Sequence, residues 1–309
     1  MISLKKQTLL KALAQELGRI PQPVITSYQL GYLIFNAYLN NAIGDATLSL
    51  KKHLPERTQY NIALNDMLNT GVLSKFSGLS GKYFKILGKP DVDAEEIICS
   101  IDPFCYISHL SAMAYHGITD RLPRTVFVSS PPPKEWRGFA VEQMKKDLKE
   151  QYDTYVEQRF PKITRPRPEK IAGRIIEFKH SSHMGAYKNI QGKSLRVSNI
   201  GRTFLDMLRD PELCGGIQHV IDVYKEYSKQ YLRQIIDEID THGKDIEKMR
   251  AGFILESEVD VRHPRIDVWQ SKVQRGGSRK LDPNNEYSPF FSERWAISLN
   301  LPSVNANAD

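Results

Sequence analysis

Cysteine is scarce in this chain of 309 residues. Cys99, Cys105 and Cys214 are three, an odd number at spacings that fit neither a disulfide framework nor a zinc ribbon, and they are expected to be reduced, buried small hydrophobes. Long apolar runs are missing too: the most apolar stretch, Tyr32 to Leu39, is broken by Asn36 and falls far short of the roughly 20 residues of a membrane span. The opening MISLKKQTLLKALAQEL has a lysine pair but no apolar core followed by small residues, so no signal peptide is expected and a cytoplasmic location is the default. No Walker A loop and no G-x-S-x-G elbow occurs. These absences argue against membrane, disulfide-scaffold, P-loop and α/β-hydrolase classes, and leave a chain expected to be no enzyme, with no cofactor and no metal.

What is present is a composition of 40% hydrophobic and 26% charged residues, that of an ordinary globular protein long enough for two domains. The formal net charge of +7 makes a polyanionic partner plausible, and its distribution is uneven. Residues 159–196 hold ten Lys and Arg against two acidic residues, whereas 222–260 lean acidic.

The first 90 residues predict a winged helix-turn-helix. An opening helix over 3–17 has Leu9, Leu10, Leu13 and Leu17 on one side, and a second helix runs from Ser27 to Asn40. A short helix is expected at Thr47 to His53 and a third from Glu56 to Thr70. VLSKF, SGLSG and KYFKIL then read as strand, turn and strand. In the third helix Tyr60, Ala63, Leu64, Met67 and Gly71 fall on one side, with Thr58, Asn61, Asn65 and Asn69 on the other. Side-chain amides can bond adenine N6 and N7 together in the major groove, and residues early in a recognition helix reach the bases. Arg57, Thr58, Gln59, Asn61 and Asn65 are thus the candidate readers, and Lys75, Lys82 and Lys85 of the hairpin the candidate phosphate contacts. The same face also reads as merely solvated, and the lysines as protection of an edge strand.

Residues 88–94 read as a linker into a second region, 91–309, of mixed strands and helices. There a helix covers Ala94 to Ile98, Asp102 is expected to cap and Pro103 to open a helix ending at Gly117, and TVFVSS forms a strand before Pro131. Helices are expected over 139–158, and strands at about 173–180 and 193–197. The segment LRVSNIGRTFLDMLRDPELCGGIQHV reads as strand, cap at Ser198 or Asn199, helix carrying Phe204, Leu205 and Leu208, and stop at Pro211. Gly215 and Gly216 then allow a restart, with Ile217, Val220, Ile221 and Tyr224 at helical spacing.

This segment resembles the AbiEi family of antitoxins and transcriptional regulators, in which a strand leads into an "RT-L-D" helix, a proline and a "GG" restart. SHLSAMAYHGITDRLPRTVFV resembles the family's "S-x-SAL-x-x-HG" helix and "PR-x-V-x-V" strand, and Leu281, Asp282, Pro283 and Trp295 fit its ending. The likeness covers most of residues 26–300, and none of its motifs is a catalytic fingerprint. It implies an α+β protein, a winged-helix domain over 1–90 followed by a larger antitoxin domain over 91–309. The implied function is repression of its own operon through duplex operator DNA, as inverted repeats bound by two copies. The implied functional partner is a nucleotidyltransferase-like toxin, countered without a tight complex and linked to phage defence. A regulator without a toxin and, further off, a nucleic-acid enzyme or RNA-binding protein are the alternatives.

Other candidate chemistry is weaker. Glu177-Phe178-Lys179 has the E-x-K spacing of metal-dependent nucleases but lacks a convincing upstream acidic ligand. His109 and His116, two turns apart, read as structural, and His180 with His183 lacks further metal ligands. Gly276 to Lys280 reads as a basic glycine turn, and Arg202 with Asp206 as an intrahelical ion pair. The proline-broken strip with Arg159, Lys162, Arg165, Arg167 and Lys170 reads as an exposed arm, in which Arg165, Arg167 and Lys170 are possible added phosphate contacts.

Overall fold

The computed structural model describes residues 6–76, 79–181, 186–271, 273 and 279–301. The protein is mixed α/β. In chain order its elements begin with α1 (Leu9–Arg19), β1 (Val24–Thr26), α2 (Ser27–Asn40), β2 (Ala42–Ile43), β3 (Ala46–Thr47), α3 (Arg57–Asn69), β4 (Leu73–Lys75) and β5 (Tyr83–Ile86). There follow α4 (Ala94–Ile101), β6 (Tyr106–Ile107), α5 (His109–His116), β7 (Thr125–Ser130), α6 (Pro133–Leu148), α7 (Tyr152–Glu157), β8 (Lys170–Ile171), β9 (Arg174–His180), β10 (Tyr187–Asn189) and β11 (Arg196–Ser198). The chain continues with α8 (Ile200–Arg209), α9 (Ile217–Tyr227), α10 (Leu232–His242), α11 (Asp245–Phe253), α12 (Pro264–Ser271) and the pair β12 (Phe291–Ser292) and β13 (Ile297–Ser298). Strands pair in the orders β1-β5-β4 and β10-β11-β6-β7-β9-β8, besides the hairpin β2-β3 and the pair β12-β13. Among the described residues no helix is long and apolar enough to cross a membrane.

The chain divides into two compact units, each assembled from three segments: 1–105, 130–176 and 189–196 in the first, and 106–129, 177–188 and 197–309 in the second. The chain therefore leaves and re-enters each unit.

In the first unit, Thr8 caps α1, and Thr26 and Gln29 cap α2 reciprocally, backbone to side chain at 3.1 and 2.9 Å. The antiparallel sheet sets Val24 opposite Lys85 and Leu73 opposite Ile86. Leu13, Leu17, Ile34, Phe35, Tyr60, Met67 and Phe84 form its core. The later segment closes that core: Tyr155 and Phe160 meet the Phe35 ring edge-on, with centroids 5.0 and 5.3 Å away. Gly31 permits this approach, since a Cβ there would lie 2.7 Å from Tyr155 Oη.

Two expectations fail in this unit. The short helix at Thr47 to His53 is absent. Ala46–Thr47 pairs with Ala42–Ile43, and the next backbone donors, Leu48 N and Leu50 N, bond Asn41 O and Oδ1 at 2.8 and 3.2 Å. Only Leu48 and Leu50 anchor the segment, at a spacing of two that suits extended chain. Asp102 does not open a helix either: its Oδ1 accepts from Phe104 N at 3.0 Å and Trp136 Nε1 at 2.9 Å, and the helix starts only after Ser108. Burial pushes this carboxyl above the usual carboxylate range, against those bonds and the charges of Arg196 and Arg165.

In the second unit, β11 pairs parallel with β6 at Val197 and Ile107, and β6 pairs antiparallel with β7. Asn199 caps α8, accepting from Arg202 N at 2.7 Å, and α8 ends before Pro211. Gly215 and Gly216, at φ of 93° and 91°, lead into α9, which buries Ile217, Val220, Ile221 and Tyr224. Phe204, Leu205 and Leu208 are buried as expected, but so is nearly every other residue of α8. Its closest neighbour is α10: a Cβ at Gly201 would lie 2.3 Å from Gln234 O. Cys99, Cys105 and Cys214 are buried free thiols.

Candidate nucleic-acid interface

Helix α3 buries Tyr60, Ala63 and Met67 and leaves Thr58, Asn61, Asn65 and Asn69 exposed, the division its sequence periodicity predicts. Among the described residues, the side chains of Thr58, Asn61 and Asn65 make no hydrogen bond, so their donors and acceptors face solvent. Gln59 differs: it is half-buried, and its Oε1 accepts from Glu56 N at 2.9 Å as part of the helix cap. A bidentate pairing with adenine needs that oxygen together with the amide nitrogen; the oxygen keeps a second lone pair, but the cap fixes the direction in which the amide points. Arg57 is tethered as well, with its guanidinium 4.7 Å over the Tyr60 ring and its Nη1 donating to Arg159 O at 3.2 Å. Ile62, 54% exposed, shares that face without belonging to its polar pattern; an apolar side chain can contact a thymine methyl. Asp66 also faces solvent there and opposes a polyanion.

Strand β4 exposes Lys75, and Lys82 stands exposed just before β5. Lys85 is half-buried, and its ammonium meets the Asp91 carboxylate at 2.5 Å. That hydrogen bond holds the Asp91 pKa below its ordinary value. Lys85 thus carries a counter-charge that, among the described residues, Lys75 and Lys82 lack.

The arm after α7 is extended because Pro161, Pro166 and Pro168 remove backbone donors and bar helix. Buried Phe160 and the Tyr155 hydroxyl, donating to Pro161 O at 2.8 Å, anchor its start. The arm brings Arg165, Arg167 and Lys170 together with Lys82 around one concavity of about 560 Å³, with Glu169 as its acidic member. Arg167 and Lys170 are exposed, while half-buried Arg165 donates to Pro131 O at 3.4 Å. Burial, and then the neighbouring charges of Arg167 and Arg137, lower the Arg165 pKa despite the nearby Asp102 carboxylate. The contribution of Arg137, on α6, had no local signal in the sequence.

The remaining candidates take structural places in the second unit. His116 Nε2 donates to Ser198 O at 2.8 Å, and burial lowers its pKa. His109, buried at φ 50°, lies between Ser108 Oγ at 2.8 Å and Asp210 Oδ2 at 3.4 Å. Lys179 of the E-x-K triplet meets Asp210 at 2.5 Å, while Glu177 points to solvent. Burial works against the Asp210 carboxylate, but the bonds from His109 and Lys179 outweigh it and hold its pKa down. Arg202 and Asp206 form the expected pair at 2.8 Å, yet both side chains are buried, so it is not a surface pair worth a few tenths of a kcal/mol. Among the described residues no three His, Cys, Asp or Glu side chains are grouped as a metal site. His183 and Gly276 to Ser278 lie outside the described residues.

No protein-family model matches this chain, and no curated protein does. Among solved structures, it is similar to the RV2827C protein of Mycobacterium tuberculosis at 10% identity, over 95% of this chain and 92% of that one, with a TM-score of 0.45. A likeness at that level leaves function to be argued from the residues.

Proposed function

We propose that residues 1–90 form a winged helix-turn-helix and that the protein is a DNA-binding repressor. The element order α1, β1, α2, β2, β3, α3, β4, β5 and the sheet order β1-β5-β4 support this reading, with α3 as recognition helix and strands β4 and β5 as wing. The observation that carries it is the face of α3, where Thr58, Asn61 and Asn65 stand exposed and make no side-chain hydrogen bond among the described residues. Base readout falls to these three with Ile62, and Arg57 joins them if it releases Arg159. Lys75, Lys82, Arg167 and Lys170 take phosphates, and Arg165 and Lys85 contribute field more than contact.

On the resemblance of the signature segments to the AbiEi family, the operon repressed is the protein's own, and the second region acts as an antitoxin against a nucleotidyltransferase-like toxin without forming a tight complex. A cytoplasmic location follows from that role. Fluorescence anisotropy with the gene's upstream duplex, a random duplex and an RNA of equal length, at one salt concentration, tests the repressor reading. It predicts a clear preference for the upstream duplex. Equal binding of random DNA defeats it, and preference for RNA gives the function to an RNA-binding protein instead.

A further inference from the structure

In the first unit a smaller cavity of about 270 Å³ opens beside the basic concavity, and the two share Lys82, Tyr83 and Thr164. The larger one carries Lys82, Arg165, Arg167 and Lys170 against a single carboxylate, Glu169. Behind it Asp102 and Arg137 act on Arg165 with opposite signs, so the excess of cations stands. Lys82, Arg167 and Lys170 are exposed and form no ion pair among the described residues. Such a basin suits phosphate oxygens.

The smaller cavity is of another kind. Helices α2 and α6 bring Tyr28, Gln143 and Asp147 to its wall, and Lys162 of the arm is its one charge besides Asp147 and Lys82. The Tyr28 hydroxyl donates to Asp147 Oδ2 at 2.8 Å, and Gln143 Nε2 donates to Oδ1 at 2.6 Å. Burial, and then that carboxylate, raise the Tyr28 pKa, which keeps the hydroxyl a donor. The two bonds fix the half-buried carboxylate, and each of its oxygens keeps a further acceptor site. A carboxylate held in this way can accept from paired hydroxyls, as acidic side chains do from ribose in dinucleotide-binding folds. It repels the phosphates of a duplex, so contact with DNA gives it no role. Ile101 and Ile163 add apolar wall for the face of a ring.

We propose that the two cavities form one cleft for a small phosphorylated compound with a vicinal diol, supplied by a nucleotide or by a phosphosugar. Phosphate oxygens accept from Lys82, Arg167 and Lys170, and the diol donates to Asp147. Lys82 stands at the junction, where its carbonyl oxygen accepts from the Ser27 hydroxyl at 3.1 Å. Together the cavities have the size of a small-ligand site. The three cations also serve the DNA-binding reading, under which ligand and DNA exclude one another. Binding of the ligand does not rest on that reading and is measured without DNA.

Isothermal titration calorimetry of the full chain tests this with ADP and ribose 5-phosphate, each beside its 2′-deoxy or 2-deoxy counterpart, at matched ionic strength. Saturable binding of one ADP or one ribose 5-phosphate per chain is expected, and the tighter of the two identifies the source. The deoxy counterpart lacks the diol and is expected to bind about tenfold more weakly. Arg167→Ala/Lys170→Ala, at exposed positions, is expected to weaken both forms about tenfold and to leave their ratio unchanged. Asp147→Asn is expected to narrow that ratio. Absence of saturable binding, a deoxy compound that binds as well as its parent, or a double variant that binds as the wild type overturns the proposal.

Discussion

Replacing Gly201 with Ala sets two effects of opposite sign against each other. Gly201 lies within α8, where Ala is intrinsically better than Gly by about 1 kcal/mol, so propensity alone predicts a more stable protein. The structure predicts the reverse. The new Cβ would sit 2.3 Å from the Gln234 carbonyl oxygen, about 1 Å inside ordinary contact, and 3.1 Å from Glu238 Cβ. A helix backbone cannot rotate out of the way as a side chain end can, so α10 must shift. Overpacking of this kind costs roughly 1–3 kcal/mol, and the net effect is a loss of up to about 2 kcal/mol. Gly138, exposed within α6 with nothing within 4 Å of its Cβ position, is the internal control, and Gly138→Ala is expected to gain up to about 1 kcal/mol. Urea unfolding followed by circular dichroism measures both. If Gly201→Ala stabilises as Gly138→Ala does, the close packing of α8 on α10 is refuted.

Three further outcomes are expected. Truncating Asp206 to Ala leaves the Arg202 charge buried without its partner and should cost roughly 3–5 kcal/mol in urea unfolding, whereas Arg202→Met with Asp206→Leu should cost far less; equal losses would contradict this. Each of Lys82→Ala, Arg167→Ala and Lys170→Ala should flatten the slope of log affinity against log salt by about 0.9, as loss of one phosphate contact does, and an unchanged slope removes that residue from the interface. His116 should titrate below its ordinary 6.5 by proton NMR, because burial disfavours its charged form. The folded protein then binds fewer protons than the unfolded chain as pH falls through 6.5, so this histidine's contribution to stability is present above that value and is lost in acid. A titration midpoint at or above 6.5 would contradict that direction.

Much of the second unit was legible in the sequence, because its signals are local. Asn199 caps, Pro211 stops, Gly215 and Gly216 turn, and each acts on residues within a turn of itself. The face of α3 was legible for the same reason. The failures share a cause in contacts across the chain. Tyr106–Ile107 is a strand of two residues with no periodicity to read, and it exists because β7 and β11 supply its partners. Arg202 and Asp206 announce by spacing that they meet, but only the fold shows that water does not reach them. The first unit draws Tyr155 and Phe160 into a core begun over a hundred residues earlier, and with them sets Arg167 and Lys170 beside Lys82. No pattern within either segment points to the other.

The central claim is that the exposed amides of α3 read DNA. Fluorescence anisotropy of the Asn61→Ala/Asn65→Ala variant with the upstream duplex and with random duplex, at the same salt as the wild type, tests it most directly. Each lost bidentate contact is worth about 1–3 kcal/mol of discrimination, while the proposed lysine and arginine contacts to phosphate are untouched by the substitution. The account predicts that the preference for the upstream duplex collapses while affinity for random DNA is unchanged. A variant that keeps the wild-type preference contradicts it.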